Sequence, residues 1–346
     1  MSIRKTVIIL FVLLAVCGAA YLLVFPMDVE GTEEEKFVQQ GDNALGNMVF
    51  FAEETSPGPG GVMKYVRIPE GSARTIKMLP VPLMGFSAPA VGNGCLFYDV
   101  TWDGSGQGFL RCMKDSIRIG KRVGYVYNDC WGFTPNAFYY LGKYNHLIRK
   151  ARRDGAEKSL VRTPVEYFTG TVNELFYYDK RNGRIGRYTL DTECTSEMPF
   201  PDKGSACDML ALDDDTVLVQ TTQKGIWLCD FHESKVSRVV DNPGVDLTYT
   251  RQIWVHDDEL YYSDSSKNYF VRPLEGGEQH LMIHSKALNF MGLRQSVFEN
   301  GSFYTSWCDD YIVVEEAFYD YDKGTTHHGM VAFDYQGKKV MEKCID

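Results

Sequence analysis

Leu175–Leu190 reads LFYYDKRNGRIGRYTL, an aromatic run, a charged turn and a second strand-like run. Asn182-Gly183 between two such runs predicts a β-hairpin, because both residues tolerate positive φ. Looser copies of the unit recur down the chain. With the first aromatic as marker, they start at Phe50, Phe97, Phe138, Phe176, the degenerate Leu218, Tyr261 and Phe303. The spacings are 47, 41, 38, 42, 43 and 42 residues. A period of about 42 with several short strands per copy fits a propeller blade of about 40–45 residues. Helical repeats of that length need apolar residues at helical spacing, and these copies show strand pairs. The fold class is therefore all-β, a β-propeller. Seven copies give seven blades, with six or eight as the alternatives, over residues 37–346.

Composition agrees. The 346 residues are 44% apolar and 13% aromatic, enough for a large core. A net charge of −10 excludes nonspecific nucleic-acid binding, which needs a basic face.

Residues 1–5 form a short basic stub with Arg4 and Lys5, and Thr6–Phe25 then runs 20 residues without a charge. Such a helix spans about 30 Å, the thickness of a bilayer's hydrocarbon core. The expectation is one uncleaved transmembrane signal-anchor over 6–25, with the stub cytoplasmic and the propeller extracytoplasmic. Rival readings are cleavage at Gly18-Ala19-Ala20 and lipidation at Cys17 in Leu14-Ala15-Val16-Cys17, a lipobox-like run. Residues 26–36 read as an acidic, solvated linker.

Leu260-Tyr261-Tyr262-Ser263-Asp264 resembles the Tyr-Trp-Thr-Asp strand of low-density-lipoprotein-receptor-type propellers, and Leu175–Asp179 is a looser match. Bacterial propellers of uncharacterised function share this aromatic-aromatic-small-acidic pattern. The resemblance covers about residues 37 to 346, although the family's Trp is absent from the second position of every copy. It implies a propeller, and a bias toward protein or peptide partners.

Eight cysteines lie outside the anchor. Cys95 and Cys112 flank one predicted hairpin, and Cys194 and Cys207 bracket a connection, so these pairs are the disulfide candidates in an exported domain. No Cys-x-x-Cys occurs, which argues against zinc ribbons. His327 and His328 are expected in a solvated turn near Asp320 and Asp322. Asp213-Asp214-Asp215 and Asp257-Asp258-Glu259 are expected as inter-strand turns. No metal and no cofactor is expected.

The candidate ligand-binding residues are Trp131, Phe133, Tyr125 and Tyr127, which cluster in what reads as an inter-blade connection, because exposed loop aromatics often bind. Arg149–Arg153 reads as a basic hairpin tip.

The expected function is recognition of a protein or peptide, or scaffolding, by one propeller face. A glycan remains possible as partner, and the oligomeric state is open. The alternative is a carbohydrate-active or lyase-type enzyme using carboxylates at the channel mouth. Neither Gly-x-Ser-x-Gly nor His-Glu-x-x-His is present, which excludes those hydrolase signatures. Carboxylates from separate blades meeting at the channel, one with a raised pKa, would favour the enzyme.

Overall fold

The computed structural model describes residues 35–54, 61–79, 89–101, 108–112, 122–126, 130–151, 155–223, 225–241, 251–288, 302–320 and 325–345. The expected anchor over 6–25 and most of the linker lie outside them. No helix among the described residues is long and apolar enough to cross a membrane.

The described strands fall into seven antiparallel sheets. β1 is Val38–Gln39. The first sheet holds β2 Ala44–Leu45, β3 Met48–Glu54, β4 Gly61–Arg67 and β5 Ser72–Leu79. The second holds β6 Ala90–Gly92, β7 Cys95–Thr101, β8 Gly108–Cys112 and β9 Arg122–Val126. The third holds β10 Trp131–Phe133, β11 Ala137–Leu141, β12 Leu147–Ala151 and β13 Glu157–Val161. The fourth holds β14 Tyr167–Gly170, β15 Glu174–Asp179, β16 Arg184–Thr189 and β17 Thr195–Pro199. The fifth holds β18 Ala206–Ala211, β19 Thr216–Thr221, β20 Gly225–Asp230 and β21 Lys235–Asp241. The sixth holds β22 Ile253–His256, β23 Glu259–Ser263, β24 Tyr269–Pro273 and β25 His280–Ile283. The seventh holds β26 Ser302–Trp307, β27 Tyr311–Asp320, β28 Thr325–Asp334 and β29 Lys339–Ile345.

Each sheet contains a meander of four successive strands, the arrangement of propeller blades, and the third carries β1 as a fifth strand beside β10. The first strands meet one another, β2 against β6, β14 against β18 and β18 against β22. Burial falls from centre to rim: β15 is buried throughout and β17 is mostly exposed.

The aromatic marker has a packing reason. Along β15 side chains alternate between two neighbouring blades. Leu175 and Tyr177 join the cluster shared with the third sheet, and Phe176 and Tyr178 the cluster shared with the fifth. A strand buried on both faces needs an apolar residue at every position, so the run is continuous instead of alternating. The acidic residue that ends the run caps the next turn. Asp179 accepts from the Asn182 backbone N–H at 3.0 Å, and Asp264 accepts from Ser266 and Asn268 N–H at 2.8 and 2.9 Å. The hairpin at Asn182-Gly183 is present, but its loop spans four residues. Asp179 pairs with Arg184, and Gly183 carries the left-handed φ of 61°.

Several expectations are corrected. The seventh marker, Phe303, lies on β26, the first strand of its blade, whereas the other markers lie on second strands. The second strands β23 and β27 begin 52 residues apart, at Glu259 and Tyr311, so the last interval near 42 is a coincidence of sequence. The inner strand of the first blade is Ala44–Leu45. His327 and His328 sit on β28 and not in a turn; of the basic run, residues 149–151 end β12 before its turn to β13, and Arg152 and Arg153 lie outside the described residues. Among the described residues no cluster of potential metal ligands occurs. The β7–β8 register sets Cys112 opposite Phe97 instead of Cys95. Cys194 and Cys207 carry unbridged thiols, Cys194 exposed on a turn and Cys207 donating to the Gln220 carbonyl at 3.3 Å. The acidic turns stand as expected, with Asp257 and Asp258 at φ 50° and 61°.

The last sheet holds its own four strands, and it packs against the first sheet. Val313, Met330, Ala332 and Met341 meet Val49 and Val66 there. Asn47 donates to Asp310 at 2.7 Å, and Asp309 N–H to the Gly46 carbonyl at 3.2 Å.

The tyrosine-rich core makes one prediction. Burial pushes Tyr262 and Tyr269 up to about 12, against about 10 in an unfolded chain. A raised folded pKa means that this stability is complete below pH 10 and is lost as pH rises toward 12. Urea midpoints should therefore drop between about pH 10 and 12, together with the rise of tyrosinate absorbance. An unchanged midpoint would refute it.

Candidate functional site

The polar groups that meet at the ring's centre come from the stretch before β2, from β18 and from the residues before β22. Arg251 donates through Nε to Asp42 Oδ1 at 2.7 Å and through Nη1 to Asp208 Oδ1 at 3.0 Å. Asp208 Oδ1 also accepts from Met209 N–H at 2.8 Å. Its Oδ2 accepts from Gln252 and Ile253 N–H at 2.7 and 3.2 Å. Trp307 of the last blade donates to the Arg251 carbonyl at 3.1 Å. The side chains of Asp208 and Arg251 are 1% and 5% exposed, and that of Asp42 is 19%. Burial raises the Asp208 pKa, opposed by Arg251 and the two backbone donors from Gln252 and Ile253. Burial acts to lower the Arg251 pKa, but Asp42 and Asp208 outweigh it and raise it.

Asp42 reaches this centre on a segment that crosses it. Residues 36–43 leave the second blade, where Lys36 and Asn93 exchange hydrogen bonds at 3.1 and 2.7 Å. β1 then adds to the inner edge of the third sheet, Val38 opposite Phe133 and Gln39 opposite Gly132. Gln39 Nε2 donates to the Phe168 carbonyl of the fourth blade at 3.1 Å. The Phe37 ring lies 5.8 Å from Tyr139 and 6.3 Å from Phe168 between centroids. The segment ends in a turn in which Gln39 N–H donates to Asp42 Oδ2 at 2.7 Å, with Val91 N–H donating to the Asp42 carbonyl at 2.8 Å.

The fit is close but incompletely satisfied. A Cβ on Gly132 would fall 2.4 Å from the Phe37 ring and one on Gly92 2.5 Å from Val38, so both positions leave room for the segment. Yet Gln39 Oε1, Gln40 Nε2, Asn43 Oδ1 and Trp131 Nε1 are buried without a hydrogen-bond partner among the described residues. Each such group costs about 1–3 kcal/mol. Gly132→Ala should destabilise the chain by about 1–3 kcal/mol through overpacking and speed amide exchange at Gln40. Unchanged urea midpoints and exchange would show that the segment is not held here.

The aromatic candidates are placed differently from expectation. Trp131 and Phe133 are 0% exposed and lie on inner strand β10, not in an exposed connection. Tyr125 is on β9, and Tyr127 lies outside the described residues. Sequence reasoning missed Asp42, Asp208 and Arg251. They are 43 to 209 residues apart, and no local pattern marks the groups.

Fold and centre define a β-propeller whose middle is crossed by its own N-terminal segment. No family model matches the chain, and none of the curated proteins does. Solved structures similar to it include TolB from Acinetobacter baumannii, at 12% identity over 84% of this chain and 78% of that one, with a TM-score of 0.40. The dihydro-heme d1 dehydrogenase NirN is similar at 10% identity over 93% and 76%, with a TM-score of 0.48. A streptogramin B lyase is similar at 10% identity over 88% and 96%, with a TM-score of 0.43. Likeness at this level identifies no family, and the propeller assignment rests on the sheet order above.

Proposed function

We propose that the chain is a binding module, a seven-bladed propeller tethered outside the cell membrane and holding a protein or peptide partner. The observation that carries this reading is the state of the central carboxylates. They converge as a propeller enzyme's would, and one has a raised pKa. However, Asp208 is fully buried with both oxygens filled by four donors, and Asp42 is held by Arg251 and Gln39 N–H. A general acid or base must reach the proton it moves, and Asp208 has no open position for a substrate.

The blade count rests on the seven sheets and on the seam between the last and the first. The tether is the uncharged run Thr6–Phe25. From it, 11 residues (26–36) lead to the start of the central segment, a reach of at most about 40 Å. That length keeps the end of the ring bearing Lys36 near the bilayer.

The test is affinity capture from an envelope extract with the detergent-solubilised full chain. One saturable protein partner is expected. Retention of background alone at tens of micromolar, on the order of the weakest transient partners, or turnover of an added glycan, would overturn the reading.

A further inference from the structure

We propose that the seat of residues 36–43 is a receptor for an extended peptide, filled in this structure by the chain's own segment. The ligand class is a strand that places an aromatic side chain and, five residues later, a carboxylate. This deepens the binding function proposed above and rests on it.

The seat has the parts of a strand-addition site. The inner edge of β10 offers backbone groups, and β1 uses them in antiparallel register; Gln40 N–H adds a bond to the Trp131 carbonyl at 3.0 Å. Strand addition draws affinity from main-chain hydrogen bonds and specificity from side-chain pockets. Two pockets are present. Tyr139 and Phe168 flank the Phe37 ring, beside the space left by Gly132. Arg251, fixed by Asp208, takes the Asp42 carboxylate. An arginine held in place by one buried carboxylate, with Nε directed at a second, is a ready carboxylate site.

The occupant is poorly matched to part of this seat. It pairs through only two strand residues, and three of its polar side chains leave buried atoms without partners among the described residues. A segment essential to the blade would be expected to complete its sheet, but the third sheet already has its own four strands. β1 is a fifth, added from outside the blade. Covalent attachment gives the segment an effective concentration of about millimolar, enough to hold an imperfect strand in place until a better one arrives.

The test is fluorescence anisotropy of a labelled peptide, Lys-Phe-Val-Gln-Gln-Gly-Asp-Asn, titrated with the full chain and with its Phe37→Ala/Asp42→Asn variant. The variant keeps the seat and weakens the resident segment. It should bind the peptide at least about 10-fold tighter than the unaltered chain. Peptides with Phe→Ala or Asp→Asn at the matching positions should lose at least about 10-fold on the same protein, a comparison that no folding defect can mimic. Equal binding of intact and altered peptides would overturn the proposal. So would absence of binding to a folded variant. A variant that fails to fold would overturn it too, because the segment would then be an obligatory core strand. A chain that still captures its envelope partner while ignoring the peptide would refute this seat and leave the binding function standing.

Discussion

Arg251→Met should remove about 3–5 kcal/mol of stability at neutral pH, the usual cost of stripping one partner from a buried ion pair. The guanidinium is 5% exposed and bridges Asp42 and Asp208, so the substitution leaves Asp208 as an uncompensated charge at 1% exposure. The hydrogen bonds from Met209, Gln252 and Ile253 survive, but neutral donors do not balance a buried carboxylate.

The loss should be pH-dependent in a defined direction. Burial already raises the Asp208 pKa, and Arg251 is the largest influence opposing it. Without Arg251 the folded-state pKa moves further above the unfolded value. Such a group contributes stability that is complete below its unfolded pKa and is lost as pH rises through the folded one. The variant should therefore recover part of its deficit between pH 7 and pH 5. The Arg251→Met/Asp208→Asn double variant should be less destabilised than Arg251→Met and lose that pH dependence. Urea unfolding at the two pH values decides. A deficit under about 1 kcal/mol, equal at both, would mean that the three side chains are not held as a buried triad.

The blades were legible because their signal is local. Phe176 to Asp179 encodes a strand buried on both faces and the cap of its own turn within a few residues, and the period carries this unit along the chain. Thr216–Thr221 was legible as a strand even without aromatics, because β-branched residues occupy the same buried positions. The centre was not legible. Asp42, Asp208 and Arg251 meet only when first and later blades come round the ring, and nothing in Gly41-Asp42-Asn43 or Thr250-Arg251-Gln252 distinguishes them from turn residues. Trp131 was misplaced for a related reason. Cys130-Trp131-Gly132-Phe133 contains Gly and stands before a marker strand, so it read as a connection. In the ring, that position is an inner strand, three residues long and covered by β1.

Trp131 therefore carries the second large prediction. An exposed ligand-gripping Trp would lose binding on truncation and leave stability nearly unchanged. A Trp with 0% exposure, packed with Val38, Ala90, Phe133 and Phe138, should behave as core. Trp131→Ala should cost about 3–5 kcal/mol in urea unfolding, because the cavity sits between two blades and β10 has little freedom to collapse into it. Trp131→Phe should cost distinctly less. Its Nε1 has no hydrogen-bond partner among the described residues, so removing the N–H breaks no bond and relieves an unsatisfied donor. The two substitutions separate volume from polarity. If Phe proved as damaging as Ala, the indole nitrogen would have a partner or a water in the folded protein. If both were neutral, β10 would not be the inner strand that seats the N-terminal segment.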